Sequence, residues 1–196
     1  MEQGAVTGEL FTDVIARIDA ANGADPNMEE DGTDKQPAAL LYGQRMSAEL
    51  VRFCPGASEH LRIAVRGQHI ERWKMPRASY PEGREGYLAW RRDLGRYHAD
   101  RVAGLMREAG YAEADADRVA RMIRKEGIKR DPETQTLEDV ACLVFMRWYF
   151  SGFAPGHDPE KVFHIVARTA RKMSAGGRAE AARMGLPPEL APALEI

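Results

Sequence analysis

The positions of the apolar residues constrain the fold of this chain more than any other feature. Along most of its 196 residues, apolar side chains recur at intervals of three and four, as in Val14, Ile15 and Ile18, while alternation with a period of two is rare. The first interval matches the 3.6-residue turn of an α-helix, and the second matches a strand. The sequence therefore predicts an all-α fold, a bundle of helices.

The length and composition favour one domain, residues 1–196. At this length, with 44% hydrophobic residues, the chain can bury a core of its own. Within the domain, the pattern predicts an acidic loop over residues 22–36, a helical core over residues 58–150 and C-terminal helices over residues 158–196.

The distribution of charge points to an anionic partner for the middle of the chain. The formal net charge is only -2, so the chain as a whole gives no reason to expect a nucleic-acid or membrane partner. Residues 1–50, however, hold ten acidic and three basic side chains, whereas residues 60–101 hold ten basic and five acidic ones. The central segment is therefore able to face an anion.

The two cysteines indicate a reducing compartment. Cys54 is isolated and Cys142 lies inside an apolar run, so they form neither a disulfide framework nor a CxxC metal site. The first residues lack the basic and apolar regions of a signal peptide, and no apolar run is long enough to span a bilayer. We therefore expect a cytoplasmic protein that does not insert into membranes.

Two histidines fall where helices are expected to face the core. A helix predicted from the N-cap Ser58 to Trp73 carries His69 on its apolar face, and one predicted from Tyr87, with a break at Gly95, carries His98 on its own. A single histidine in such a place is more often a hydrogen-bonded core residue than a ligand. Two imidazoles joined by a carboxylate, in contrast, suit a divalent transition metal such as Fe, Mn, Zn or Ni.

Asp139 is the natural third member of this set. It lies at the start of a helix predicted from Thr136 to Phe150, which is apolar nearly all round, and an ionised carboxylate there needs a partner. The run from Thr136 to Asp139 also has the shape of a capping box, which explains the aspartate by the helix start alone. The neighbouring Glu138 is a competing candidate. The pattern leaves ligand and cap open.

Arginines and aromatic residues alternate between the two predicted helices that carry the histidines. Guanidinium groups and aromatic faces suit phosphates and stacked bases, so we expect a nucleotide or another anionic small molecule there, with single-stranded nucleic acid second. Alternatively, the aromatic residues fix the loop to the core while the arginines pair with Glu71, Glu82 and Glu85. The candidate substrate-binding residues are Arg72, Arg77, Tyr80, Arg84, Tyr87 and Arg91.

A set of short motifs is spread over nearly the whole chain. The set consists of the runs 25–27, 66–73, 76–77, 80–81, 86–91 and 134–145. Together these motifs resemble the uncharacterised domain-of-unknown-function family 4202. That resemblance indicates the neighbourhood of the fold and implies no activity.

A more distant resemblance is to the HD superfamily of metal-dependent phosphohydrolases, which are helical domains. Their metal ligands are a first histidine, a His-Asp doublet and a last aspartate at the start of a later helix. The resemblance implies that His69 is the first histidine, Asp93 the doublet aspartate and Asp139 the last. The doublet histidine is replaced by Arg92, which cannot bind a cation, and His98 is the candidate substitute.

The resemblance gives the leading hypothesis, an HD-like hydrolase whose core is residues 58–150. It would bind a divalent metal through the two core-facing histidines and Asp139, with Asp93 and Lys125 in the catalytic machinery. The arginines would neutralise a phosphorylated small molecule or nucleotide. The alternative is a non-catalytic binding module for a nucleotide, RNA or a protein, in which the HD-like pocket has lost its metal.

Overall fold

Helices form most of the structure, which confirms the all-α prediction. The computed structural model describes residues 2–32 and 34–195, with side chains from residue 8 onward. The helices are α1 (Glu2–Gly23), α2 (Ala38–Phe53), α3 (Glu59–Gly67), α4 (Gly83–Ala109), α5 (Glu113–Ile123), α6 (Pro132–Val144), α7 (Phe150–Phe153), α8 (Pro159–Ala170) and α9 (Ala175–Ala182). Shorter 3₁₀ turns lie at Arg72–Lys74, Arg77–Ser79, Ala154–Gly156 and Pro188–Leu194.

The acidic segment that was predicted as a loop contains a β-hairpin. Strands β1 (Met28–Asp31) and β2 (Asp34–Pro37) pair antiparallel, with Asp31 opposite Asp34 at the turn. Gly32 is the first central residue of that turn and has a φ of 69°, which glycine adopts readily and which hairpin turns favour at this position. The prediction was wrong here because these short, charged strands show no apolar alternation.

Helix α3 ends six residues earlier than its apolar pattern predicts, at Gly67 rather than Trp73. The chain then turns through Glu71, which has a left-handed φ of 50°. The backbone N–H of Glu71 donates to Asn22 Oδ1 of α1 at 2.9 Å, so α1 fixes this turn. His69 consequently lies in a turn and not on a helical face, which corrects the sequence-based placement.

The structure confirms the predicted end of α4 but not the predicted start of α6. Gly95 does not split α4, which runs unbroken to Gly110, where a φ of 102° confirms the predicted end. Helix α6 begins at Pro132, with Asp131 as its N-cap, about one turn before the predicted start. The capping-box interpretation of Asp139 is therefore wrong, because Thr136 is not the N-cap and Asp139 lies two turns inside the helix.

A π-helical segment, Phe145–Tyr149, connects α6 to α7. Its wider turn is shown by the N–H of Phe150, which donates to the carbonyl of Phe145. Such segments occur often at functional sites because they rotate the following side chains relative to a regular helix. The segment turns side chains of this long helical stretch toward the cavity described below.

Two hydrophobic clusters fill the interior, and α6 contributes to both. The larger cluster lies around α3, which packs against α1, α2, α5 and α6. The smaller one joins the C-terminal half of α6 to α8 and the last 3₁₀ turn. Among the described residues, no helix is both long and apolar enough to cross a membrane.

Candidate functional site

A cavity of about 730 Å³ opens where the hairpin, α2, the turn after α3, the start of α4, α6 and α8 meet. This volume is typical of a small-molecule site. Its aromatic lining residues are Tyr42, Trp73, Tyr87, Trp90, Phe145 and Tyr149. Its acidic and basic lining residues are Asp25, Glu29, Arg72, Arg77, Arg91, Lys125, Glu138 and Lys172.

The cavity brings together some of the residues singled out in the sequence and leaves others aside. His69 and Lys125 line it, as do the candidate substrate-binding residues Arg72, Arg77, Tyr87 and Arg91. Five other candidates are not among its lining residues: Tyr80, Arg84, Asp93, His98 and Asp139. Asp25 and Glu29 of the acidic segment line the same cavity as these arginines.

The buried carboxylate of Glu71 holds the turn that presents His69 and Arg72 to the cavity. It accepts hydrogen bonds from the Tyr97 hydroxyl at 2.6 Å, from Lys74 Nζ at 2.7 Å and from Arg101 Nε at 3.1 Å. Burial raises the pKa of this carboxyl, but the bonds from Lys74 and Tyr97 outweigh burial and lower the pKa overall. Glu71 is therefore ionised and ties the turn to α4.

His69 is held against an aromatic neighbour. Its ring stacks on Tyr42, with centroids 4.5 Å apart and planes inclined by 19°. Burial, followed by the charge of Arg72, keeps the pKa of His69 well below its ordinary value. The imidazole is therefore neutral at pH 7 and offers one donor and one acceptor nitrogen.

The arginines of the cavity have no carboxylate partners among the described residues. Arg72 places its guanidinium over the ring of Trp90, 4.9 Å from the centroid, and Trp90 is itself fixed by a hydrogen bond to the Met75 carbonyl. Arg77 donates to the carbonyl of Tyr80 at 2.9 Å. Arg91, near the start of α4, is exposed. Guanidinium groups that have no carboxylate partner attract an anion.

The alternative in which these arginines pair with nearby glutamates is therefore wrong for the described residues. Glu71 forms its ion pairs with Lys74 and Arg101 instead. Among the acidic lining residues, Glu29 pairs with Arg45, and Asp25 accepts a hydrogen bond from the backbone N–H of Ala39 at 3.0 Å. The cavity thus keeps an excess of positive charge.

Glu138, and not Asp139, is the carboxylate of α6 that faces the cavity. Lys125 Nζ donates to it, and Lys172 Nζ lies 4.0 Å from its other oxygen. Burial raises the pKa of Glu138, but the nearby Lys125 charge and hydrogen bond lower it overall. Lys125 has a left-handed φ of 59°, a strained conformation of the kind that clusters at functional sites.

Asp139 is turned toward α9. Its carboxylate accepts hydrogen bonds from Ser174 N at 2.8 Å, Ser174 Oγ at 2.5 Å and Gln135 Nε2 at 3.0 Å. The backbone of Gly177 packs against it so closely that a Cβ there would lie 2.8 Å from Asp139 Cγ. The aspartate therefore joins α6 to the start of α9.

The proposed metal ligands do not converge. The rings of His69 and His98 are neighbours, with centroids 5.7 Å apart, but His98 does not line the cavity and Asp139 is committed to α9. Within residues 2–32 and 34–195, no three His, Cys, Asp or Glu side chains form a group suited to a metal ion. Asp93, the other candidate, contacts Tyr80 and Arg92 outside the cavity. These side chains do not fit the three-ligand centre that the sequence suggested.

The pH dependence of stability tests whether His98 is buried in its neutral form. It is 2% exposed and neither ring nitrogen makes a hydrogen bond to the described residues. Burial lowers the pKa of His98 to about 3, against a smaller opposing effect of the Ile70 backbone. Below pH 6.5 the unfolded chain therefore takes up a proton that the folded chain does not, so stability falls as the pH falls toward 3.

We expect His98→Leu to abolish the part of the pH dependence of stability that comes from this one proton. Relative to its own stability at pH 6.5, the variant should lose about 1.6 kcal/mol less than the unsubstituted chain on going to pH 5. Urea unfolding at several pH values measures the difference. His164→Gln, which removes an exposed histidine of α8 instead of a buried one, is the control. An unchanged profile for His98→Leu contradicts the buried, neutral state.

Several lining residues had no signal in the sequence that pointed to a site. Tyr42, Gln68 and Lys172 come from three distant parts of the chain, and the fold alone assembles them. Phe145 and Tyr149 read as core residues of an apolar helix, but the π-helical segment brings both to the cavity wall. Only the tertiary structure shows that these residues line the cavity.

Cys142 also lines the cavity, but its environment does not favour the thiolate. Burial raises its pKa to about 12, and Glu138 adds to the rise. The thiol therefore stays protonated at neutral pH and is a poor nucleophile.

Comparison with known families adds one finding to this geometry. The family model described as "Domain of unknown function (DUF4202)" matches residues 12–194. The chain belongs to this family. All the lining residues of the cavity lie inside the matched span. Searches of curated proteins and of solved structures each found no match, so the distant likeness to HD phosphohydrolases gains no support.

Proposed function

We propose that the cavity binds a phosphorylated small molecule. The observation that carries this proposal is the group of three arginines, Arg72, Arg77 and Arg91, which line one cavity without carboxylate partners among the described residues. Guanidinium groups bind phosphate oxygens through paired hydrogen bonds, and their charge is permanent. Phosphate is the ligand group that this chemistry suits best.

The lysines of the cavity add to this preference. Lys125 and Lys172 share the single carboxylate of Glu138, so they are not fully neutralised. The five cationic and three acidic side chains that line the cavity leave a net charge of +2. This charge matches a ligand group of charge near -2, which a phosphate monoester carries at neutral pH. A single carboxylate ligand would leave part of this positive charge uncompensated.

Binding without catalysis is favoured over hydrolysis by the described groups. A general base works best when its pKa lies near the working pH, but the pKa values of His69 and Glu138 are both lowered. The side chains proposed as metal ligands point to different places. We therefore propose a binding module first, and metal-assisted phosphohydrolysis as the rival to be tested with the same ligands.

Substitution of Arg91 tests the proposal with an internal control. Both Arg91 and Arg84 are exposed arginines of α4, but only Arg91 lines the cavity. Arg91→Gln should weaken the binding of pyrophosphate and of ribose 5-phosphate about tenfold or more, because each charge-assisted hydrogen bond contributes about 1.5–3 kcal/mol. Arg84→Gln should leave both affinities unchanged. Isothermal titration calorimetry at fixed salt measures them.

Four outcomes decide between the candidates. The proposal is contradicted if neither pyrophosphate nor ribose 5-phosphate binds at millimolar concentration. It is also contradicted if Arg91→Gln and Arg84→Gln weaken the binding of these probes equally. Release of phosphate from ribose 5-phosphate on addition of Mn²⁺ or Fe²⁺ would favour the hydrolase. Tighter binding of a single-stranded oligonucleotide, with a steep salt dependence, would instead favour a nucleic-acid partner.

A further inference from the structure

Gln68 is a buried cavity residue with an unmet hydrogen-bonding capacity. It is 4% exposed and lines the cavity, and its Oε1 makes no hydrogen bond to any described residue. A buried polar atom without a partner is costly, and native structures keep few of them. A ligand with an N–H or O–H donor would satisfy this acceptor oxygen.

The surroundings of Gln68 favour a flat ligand. The next residue, His69, stacks on Tyr42, and Trp73 and Trp90 line the same cavity. Aromatic walls bind planar rings through stacking, and they tolerate many different ring systems. A sugar phosphate has donors for the amide but no planar face for these walls. The ligand therefore needs both a donor and an aromatic ring.

We propose that the phosphorylated ligand is a nucleoside phosphate and that Gln68 recognises its base. This inference rests on the proposed function. A carboxamide presents one acceptor and one donor side by side, and it pairs with the adjacent donor and acceptor on the edge of a nucleobase. The base lies against the aromatic residues beside His69, and the phosphate binds Arg72, Arg77 and Arg91. The volume of about 730 Å³ accommodates both parts.

The test compares ligands that differ only in the base. Ribose 5-phosphate carries the sugar and phosphate without a base, while AMP, GMP, CMP and UMP add one. The unsubstituted protein should bind at least one of these nucleotides about tenfold or more tightly than ribose 5-phosphate, since stacking and the amide act on the base alone. Isothermal titration calorimetry gives each dissociation constant.

Gln68→Leu separates recognition of the base from a role in folding. The substitution should weaken the preferred nucleotide about tenfold or more, whereas the affinity for ribose 5-phosphate stays the same. Because Oε1 has no partner in the ligand-free protein, leucine should not lower the thermal midpoint. Gln44→Leu, at a partly buried glutamine of α2 outside the cavity lining, is the matched control and should change neither affinity.

The outcomes distinguish this inference from the proposal on which it rests. If ribose 5-phosphate and every nucleotide bind equally, the inference is wrong while phosphate binding stands. If Gln68→Leu weakens ribose 5-phosphate as much as the nucleotide, Gln68 contacts the sugar or phosphate and does not recognise the base. If no phosphorylated probe binds, the proposed function itself fails.

Discussion

Asp139→Ala is expected to lower the free energy of unfolding by about 3 kcal/mol or more, without any metal present. The buried carboxylate accepts hydrogen bonds from Ser174 N, Ser174 Oγ and Gln135 Nε2, and its loss leaves these donors inside the protein without their partner. Hydrogen bonds to a charged group contribute about 1.5–3 kcal/mol each, and a shared cost of desolvation reduces their sum. The junction between α6 and α9 should loosen.

Equilibrium unfolding in urea, with and without a divalent metal, measures this loss. Asp93→Ala is the control, because Asp93 is also a candidate catalytic residue, but its carboxylate accepts hydrogen bonds near the surface from Tyr80 at 3.4 Å and Arg92 at 3.2 Å. It should change the stability little, as is usual for exposed pairs. If Asp139→Ala leaves the metal-free stability intact and removes a stabilisation by added metal, Asp139 is a ligand after all.

The parts of the fold that the sequence predicts well are those with local signals. Asp158 followed by Pro159 marks the start of α8, and the structure has Asp158 as its N-cap. Gly110 ends α4 because its positive φ suits glycine. Such features depend on a few neighbouring residues, so a single sequence is enough to locate them.

Other parts depend on contacts between distant residues and leave no local signal. The apolar pattern continues through Trp73, yet α3 stops at Gly67, which lies so close to Val102 of α4 that a Cβ would be 2.5 Å from Val102 Cγ2. Beyond it, the turn at Glu71 is fixed by Asn22 of α1. Periodicity reports which side of an ideal helix is apolar, but tertiary contacts decide where the helix ends.

The sequence indicates which residue types line the cavity, but it does not indicate which positions do. Of the six candidate substrate-binding residues in the middle of the chain, four line the cavity, among them Arg91. Arg84 lies seven residues earlier, on nearly the same face of α4 but about 10 Å away along the axis, outside the cavity lining. Spacing identifies the face of a helix, but it does not tell which turn of that face meets the cavity.

Glu71→Ala is expected to lower the free energy of unfolding by about 2–3 kcal/mol and to weaken ligand binding as well. The buried carboxylate receives hydrogen bonds from Tyr97, Lys74 and Arg101, and its removal takes away all three, although the two cations remain partly solvated. Because this network holds the turn that carries Arg72, the affinity for phosphorylated probes should fall even in solutions where the variant remains folded.

Two further variants separate the parts of this effect. Glu71→Gly removes the same side chain but suits the φ of 50°, so it should be about 1 kcal/mol less destabilised than Glu71→Ala, which keeps the strained backbone. Glu113→Ala breaks an exposed ion pair with Arg107 and should leave both stability and ligand affinity nearly unchanged. Urea unfolding and calorimetry with ribose 5-phosphate measure both properties. If Glu71→Ala unfolds no more readily than Glu113→Ala, the Glu71 network does not hold the turn, and the presentation of Arg72 to the cavity needs another cause.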